Sequence, residues 1–201
     1  MHLPLLALTL LQAQTPKDTA AKPADLPLTP RSFHLRTTRG TWMSLDLTPD
    51  GQTIVFDLLG DIYRLPINGG QATRLLGGLS FDSQPRVSPD GKRIAFVSDK
   101  SGSDNVWTMS LDGRDTTQVT KGNIIGVSSP EWTPDGRGIV VTRAGTGPGA
   151  SKLWLYHVDG GAGLQLLREP PQRFALGAAF GPDSRYLWYA FRDGGFAYNT
   201  R

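Results

Sequence analysis

From Leu47 onward the chain alternates apolar and polar residues in short runs, each closed by turn-forming residues. Ile94 and Phe96 point one way and Ala95 the other, the period of a half-buried strand. The punctuation itself recurs. Thr48-Pro49-Asp50-Gly51 returns as Ser88-Pro89-Asp90-Gly91, as Thr133-Pro134-Asp135-Gly136 and as Gly181-Pro182-Asp183-Ser184. The prolines are 40, 45 and 48 residues apart. Three residues before each Asp stand Leu47, Val87, Trp132 and Phe180; four after it stand Ile54, Ile94, Ile139 and Leu187; six after it stand Phe56, Phe96, Val141 and Tyr189. A period of this length calls for a repeat architecture.

Each residue of the repeated turn has a local task. Pro fixes φ, Asp bonds its own backbone, and Gly takes the left-handed conformation that returns the chain. A hairpin follows. Third strands are expected at Asp61 to Leu65, Asn105 to Met109 and Lys152 to Tyr156, and fourth strands at Ala72 to Leu75, Thr117 to Thr120 and Leu164 to Leu167. Second turns at Asn68-Gly69-Gly70, Asp112-Gly113 and Asp159-Gly160-Gly161 separate them. Four antiparallel strands per period predict an all-β fold, a partial β-propeller. Complete blades span about 41–76, 81–120 and 126–168, and an incomplete one spans 174–201.

Closed propellers have about 4–8 blades. An arc of three and a half leaves two apolar faces uncovered, forfeiting about 10–20 kcal/mol per face if six large side chains line it. That rivals the roughly 5–15 kcal/mol that stabilises a whole domain. The expectation is therefore the front of a longer protein, with ring closure by several copies as the alternative.

The pattern Pro85-x-x-Ser88-Pro89-Asp90-Gly91-Lys92-x-Ile94-Ala95-Phe96, with Asn105-Val106-Trp107 and Asp112-Gly113, resembles the TolB-type repeat, also called WD40-like or PD40. Further phrases are similar to the amino-terminal propeller of secreted amidohydrolases: Gly40 to Asp46, Ile54 to Tyr63, Phe81 to Pro85 and Leu153 to Val158. The amidohydrolase resemblance implies a metal-dependent hydrolase barrel beyond the propeller. Any divalent metal would sit there, and no cofactor in this chain. The last unit departs from the pattern, with Ser184 where Gly is usual and no recognisable third strand from Phe191 to Arg201.

The start of the chain differs from the rest. Leu3 to Leu11 is apolar and Ala13 is a small residue suited to a cleavage site, so residues 1–13 read as a secretory signal. No Lys or Arg precedes the apolar core, the one feature that departs from such a signal. Prolines 16, 23, 27 and 30 make residues 14–32 an extended linker. The expected location is periplasmic or secreted.

Composition adds exclusions. The 201 residues contain no Cys, so disulfides and thiolate metal sites are out; Gly (24) and Pro (15) are frequent, as turn-rich β proteins require. A net charge of +3, with Lys and Arg scattered, gives no phosphate-binding stripe, and no run is long enough to span a membrane. His2, His34 and His157 are the only histidines and no two lie at a metal-ligand spacing. No Gly-x-Ser-x-Gly elbow is present. Gly145-Thr146-Gly147-Pro148-Gly149-Ala150 matches a nucleotide fingerprint in letters, but strand follows it where a helix is needed. Asp99 to Asn105 lacks the Gly and Glu of a calcium loop and reads as a hairpin tip. Tyr63, Trp107 and Trp154 share one repeat position, which points to packing between blades.

No catalytic or metal-binding residue is therefore expected. The binding candidates lie where the chain enters each innermost strand: Trp42, Asp82, Ser83, Gln84, Ser128 and Ser129. Such loops on a rigid scaffold commonly carry function. The expected partner is a hydrolase domain of the same protein, or an envelope protein as in a TolB-like module. A third alternative is the propeller of a prolyl-oligopeptidase-like peptidase.

Overall fold

The computed structural model describes residues 35–122, 126–145, 151–167 and 173–193. The chain divides into two compact units, Met1–Thr38 and Arg39–Arg201. The expected signal and linker lie outside the described residues, as do residues 146–150, which hold most of the Gly145–Ala150 segment, and residues 168 and 194–201 of the last two expected blades.

The second unit is built from antiparallel four-stranded meanders. The first blade holds β1 (Leu45–Leu47), β2 (Thr53–Leu58), β3 (Asp61–Pro66) and β4 (Thr73–Leu76). The second holds β5 (Asp82–Val87), β6 (Arg93–Ser98), β7 (Asn105–Ser110) and β8 (Thr117–Gln118). The third holds β9 (Val127–Trp132), β10 (Gly138–Arg143), β11 (Lys152–His157) and β12 (Leu164–Gln165). A two-stranded sheet of β13 (Arg173–Phe180) and β14 (Leu187–Asp193) follows. The described residues contain no helix, and the all-β partial propeller is the observed fold. The outermost strands β8 and β12 are only two residues long, shorter than their apolar patterns suggest.

The repeated turn does what its residues require. The amides of Gly51, Gly91 and Gly136 donate to the carbonyls of Thr48, Ser88 and Thr133 at 2.7, 2.8 and 2.8 Å. Those three glycines sit at φ of 68°, 70° and 67°. Ser184 takes the same left-handed conformation at 59°, a strained one for a residue with a Cβ. Thr48, Ser88 and Thr133 each donate a hydroxyl to the Asp two residues on at 2.6 Å. These hydroxyls hold the carboxyls of Asp50, Asp90 and Asp135 below the ordinary range, helped by a backbone amide two residues further on.

The core lies between blades. Val55 and Ile62 of the first blade pack against Val87, Ile94, Phe96 and Met109 of the second. Ala95, Val97, Val106 and Val119 of the second meet Val127, Trp132, Ile139, Val141 and Tyr156 of the third. Val140 and Leu153 meet Ala175 and Ala178 of the last sheet. Position 54 of each repeat thus faces backward and position 55 forward, the division that a period of two imposes. Trp107 and Trp154 pack against the first two of these clusters, and Tyr63 stacks on Phe56 at 5.6 Å. Trp188, in the repeat position of the buried Val55, Ala95 and Val140, is exposed.

Candidate functional site on the innermost strands

Each of β5, β9 and β13 carries a β-bulge, seen as a register shift against its neighbour. At the bulge stand Gln84 (φ 55°), Ser129 (52°) and Gly177 (58°). All three occupy one repeat position, five residues before the turn proline. A left-handed residue in a strand turns its amide out of the ladder, and a buried amide needs a new acceptor.

The preceding blade supplies it. Asp57 Oδ2 on β2 accepts the Gln84 amide at 2.7 Å. Thr142 Oγ1 on β10 accepts the Gly177 amide at 3.0 Å. Asp57 and Thr142 share a repeat position, and its third occupant is Val97, which cannot accept. There the Gln84 side chain takes over, its Oε1 receiving the Ser129 amide at 2.6 Å. The first blade closes on itself: Asp57 Oδ1 also accepts the Ser44 amide at 2.9 Å. Asp57 is buried, so both its oxygens are committed in a dry setting.

A second tier lies nearer the repeated turns. Asp46 Oδ2 accepts the Val87 amide at 2.8 Å, and Glu131 Oε1 accepts the Phe180 amide at 3.3 Å. Between them the equivalent residue is Arg86, which has no acceptor to offer on its side chain. The Trp132 indole instead donates to the Arg86 carbonyl at 2.9 Å. Arg86 Nη1 donates to the carbonyls of Leu45 and Pro85, and its Nε lies 3.8 Å from Glu131 Oε2. Burial pushes the Glu131 carboxyl up, against the Phe180 amide and Arg86, which pull it down. These side chains line a cleft of about 550 Å³ with Leu45, Leu47 and Trp132. Asp46, Arg86 and Glu131 are absent from the sequence-based candidates. Their signal was a charged residue directly before each strand-ending apolar residue, repeated in three units.

The structure distributes the predicted residues over three settings. Gln84 and Ser129 are brought together at a blade joint, and Ser83 and Ser128 stand beside them, half-buried, on β5 and β9 rather than in loops. Asp82 is buried, with 1% of its surface exposed, so it presents nothing to solvent. Trp42 is fully exposed at φ 59°. It holds the repeat position of Asp82, Val127 and Ala175, all buried against a preceding blade. His157 is exposed, 3.4 Å from Asp159, and belongs to no ligand cluster. Among the described residues no group of three His, Asp or Glu could hold a metal ion, and no helix is long and apolar enough to cross a membrane.

Comparison with known proteins agrees with this architecture. A Tricorn protease homolog from Streptomyces coelicolor is 26% identical over 155 residues, covering 73% of this chain and 14% of the relative. The crystal structure of TolB from Acinetobacter baumannii superimposes with a TM-score of 0.63 at 21% identity, over 75% of this chain and 38% of that one. The crystal structure of the tricorn protease gives 0.53 at 17% identity, over 70% of this chain and 14% of the other. This chain therefore spans well under half the length of each of these three proteins. Residues 47–197 match the family described as the Tricorn protease N-terminal beta propeller domain, and the chain belongs to that family.

Proposed function

We propose that this chain is a non-catalytic propeller module of a larger exported hydrolase, holding the enzyme domain and offering its rim to substrate or partner. The observation that carries the reading is the employment of the inner-strand polar groups. Asp57, Gln84, Thr142, Asp46 and Glu131 all accept backbone amides of a blade, so these groups are engaged in holding blade to blade. The tricorn relative favours a protease-like parent. The amidohydrolase parent rests on the phrases Gly40 to Asp46 and Leu153 to Val158, with its divalent metal in another domain. Export rests on the apolar start and its small-residue cleavage site.

Trp42 is the residue of the rim best placed to meet a neighbour, because its repeat equivalents all do so. The purified chain should hydrolyse neither peptides, amides nor esters, with or without Zn²⁺. In the protein that carries the enzyme domain, Trp42→Ala should lower activity or loosen the domain contact while the propeller keeps its melting temperature. Turnover by the chain alone, lost on His157→Ala, would overturn the non-catalytic reading. Full activity in Trp42→Ala would remove the rim from it.

A further inference from the structure

The joint between the first and second blades contains a buried carboxyl with incomplete hydrogen bonding. Asp82 opens β5, and its amide donates to the Gly60 carbonyl of the first blade at 2.8 Å. Its side chain is 1% exposed. Ser80 Oγ donates to Oδ2 at 3.1 Å, but Oδ1 has no hydrogen-bond partner. The indole Nε1 of Trp107, which packs into the same joint, is also buried without a partner. An ionised carboxylate with a bare oxygen is costly in such a place, and a neutral carboxyl is far less so.

We infer that Asp82 makes this joint responsive to mild acidity, tighter when the carboxyl is neutral and looser when it is ionised. The groups around it set the balance. From the first blade, Asp61 at the start of β3 adds a like charge, itself paired with Arg74 at 3.2 Å. From the hairpin after β6, Lys100 opposes it, its Nζ 5.5 Å from the centre of the Trp107 ring. Asp99 beside it is engaged with the Phe81 amide at 2.8 Å, and Asp57 with the amides of Ser44 and Gln84. Burial is the largest influence and raises the Asp82 carboxyl above the ordinary range. The Ser98 and Ser80 hydroxyls pull it down, though Ser98 forms no hydrogen bond of good geometry to Oδ1.

The sign follows from the raised value. A carboxyl that binds its proton more tightly in the folded state contributes stability that is complete below the ordinary aspartate range. That contribution is lost as pH rises through the raised value. The inference does not depend on the proposed enzymatic parent, since it concerns this chain alone.

The test is thermal melting of the whole chain from about pH 4 to pH 8, the span above the ordinary aspartate value, for the wild type, Asp82→Asn and Lys100→Met. Asp82→Asn should melt about 2–4 °C higher than wild type at the alkaline end, a shift worth about 1 kcal/mol, with the gap closing toward the acid end. Hydrogen exchange at residues 58–62 and 80–84 should be several-fold slower in Asp82→Asn at neutral pH. Lys100→Met, which removes the cation that opposes the Asp82 shift, should melt below wild type at the alkaline end and match it in acid. An Asp82→Asn chain that melts lower at neutral pH, or a gap that does not change with pH, overturns the inference. If Asp82→Asn fails to fold, a Lys100→Met profile parallel to wild type overturns it equally.

Discussion

The joint between the first and second blades and the joint between the second and third solve one problem with different atoms. Both must find an acceptor for a bulge amide that the ladder has released. In the earlier joint a buried carboxylate on the second strand reaches forward, Asp57 to Gln84. In the later joint that position is Val97, and the acceptor is displaced onto the bulge residue itself, Gln84 to Ser129. The nearer tier repeats the contrast. Asp46 caps Val87 with a carboxylate, whereas Arg86 contributes only its carbonyl, reached by the Trp132 indole. What persists from joint to joint is the bond to be made, and the residue making it is free to move.

Removing the carboxylate should cost most. Asp57→Ala strands two amides, those of Ser44 and Gln84, and both bonds are to a charged acceptor. A loss of about 3 kcal/mol or more is expected from denaturant midpoints, since hydrogen bonds to charged groups are worth about 1.5–3 kcal/mol each. A loss under half of that would mean solvent reaches the joint. Gln84→Ala strands one amide and should cost about 1–2 kcal/mol. The sharper result is its repair: adding Val97→Thr places the Thr142 device at the middle joint and should recover at least half of the loss. Failure of the repair would show that the two joints differ in backbone geometry, beyond the choice of acceptor.

Trp132→Phe keeps an aromatic ring in the core but loses the indole donor to Arg86 and part of the buried ring, so about 1 kcal/mol or somewhat more is expected. The smallest effect belongs to the turns, which both joints share. Asp90 is held below the ordinary range first by the Ser88 hydroxyl and then by the Lys92 amide. A lowered carboxyl contributes stability above its unfolded value and loses it as pH falls through the folded one. Asp90→Asn should therefore lower the melting temperature slightly at neutral pH, with the difference fading below about pH 4. A difference independent of pH would assign the effect to geometry rather than charge.

These contrasts also explain which features the sequence exposes. The repeated turn is legible because every residue in it acts on its immediate neighbours: Pro on φ, the hydroxyl on Asp two residues away, Gly on the left-handed corner. The blade faces are legible because Ile94 and Ile139 keep one size and one period. The bulge is not, since Gln, Ser and Gly share its position with no chemistry in common. Its meaning lies 27 to 45 residues away in the chain, in Asp57, Gln84 and Thr142. Asp82 reads as an exposed polar residue for the same reason: its burial comes from residues distant in the chain, among them Gly60 of the neighbouring blade and Ser98 across the sheet.

Every backbone-amide or indole bond that crosses a blade joint in the two tiers has its acceptor earlier in the chain than its donor. Asp57 comes before Gln84, Gln84 before Ser129, Thr142 before Gly177, Asp46 before Val87, the Arg86 carbonyl before Trp132, and Glu131 before Phe180. During synthesis from the amino terminus, a newly emerging blade therefore meets partner atoms already made. No blade waits on one still to come for the acceptor of its bulge amide. The fold is suited to vectorial growth, each finished blade templating the next, and contacts at this separation allow folding to advance unit by unit behind the ribosome.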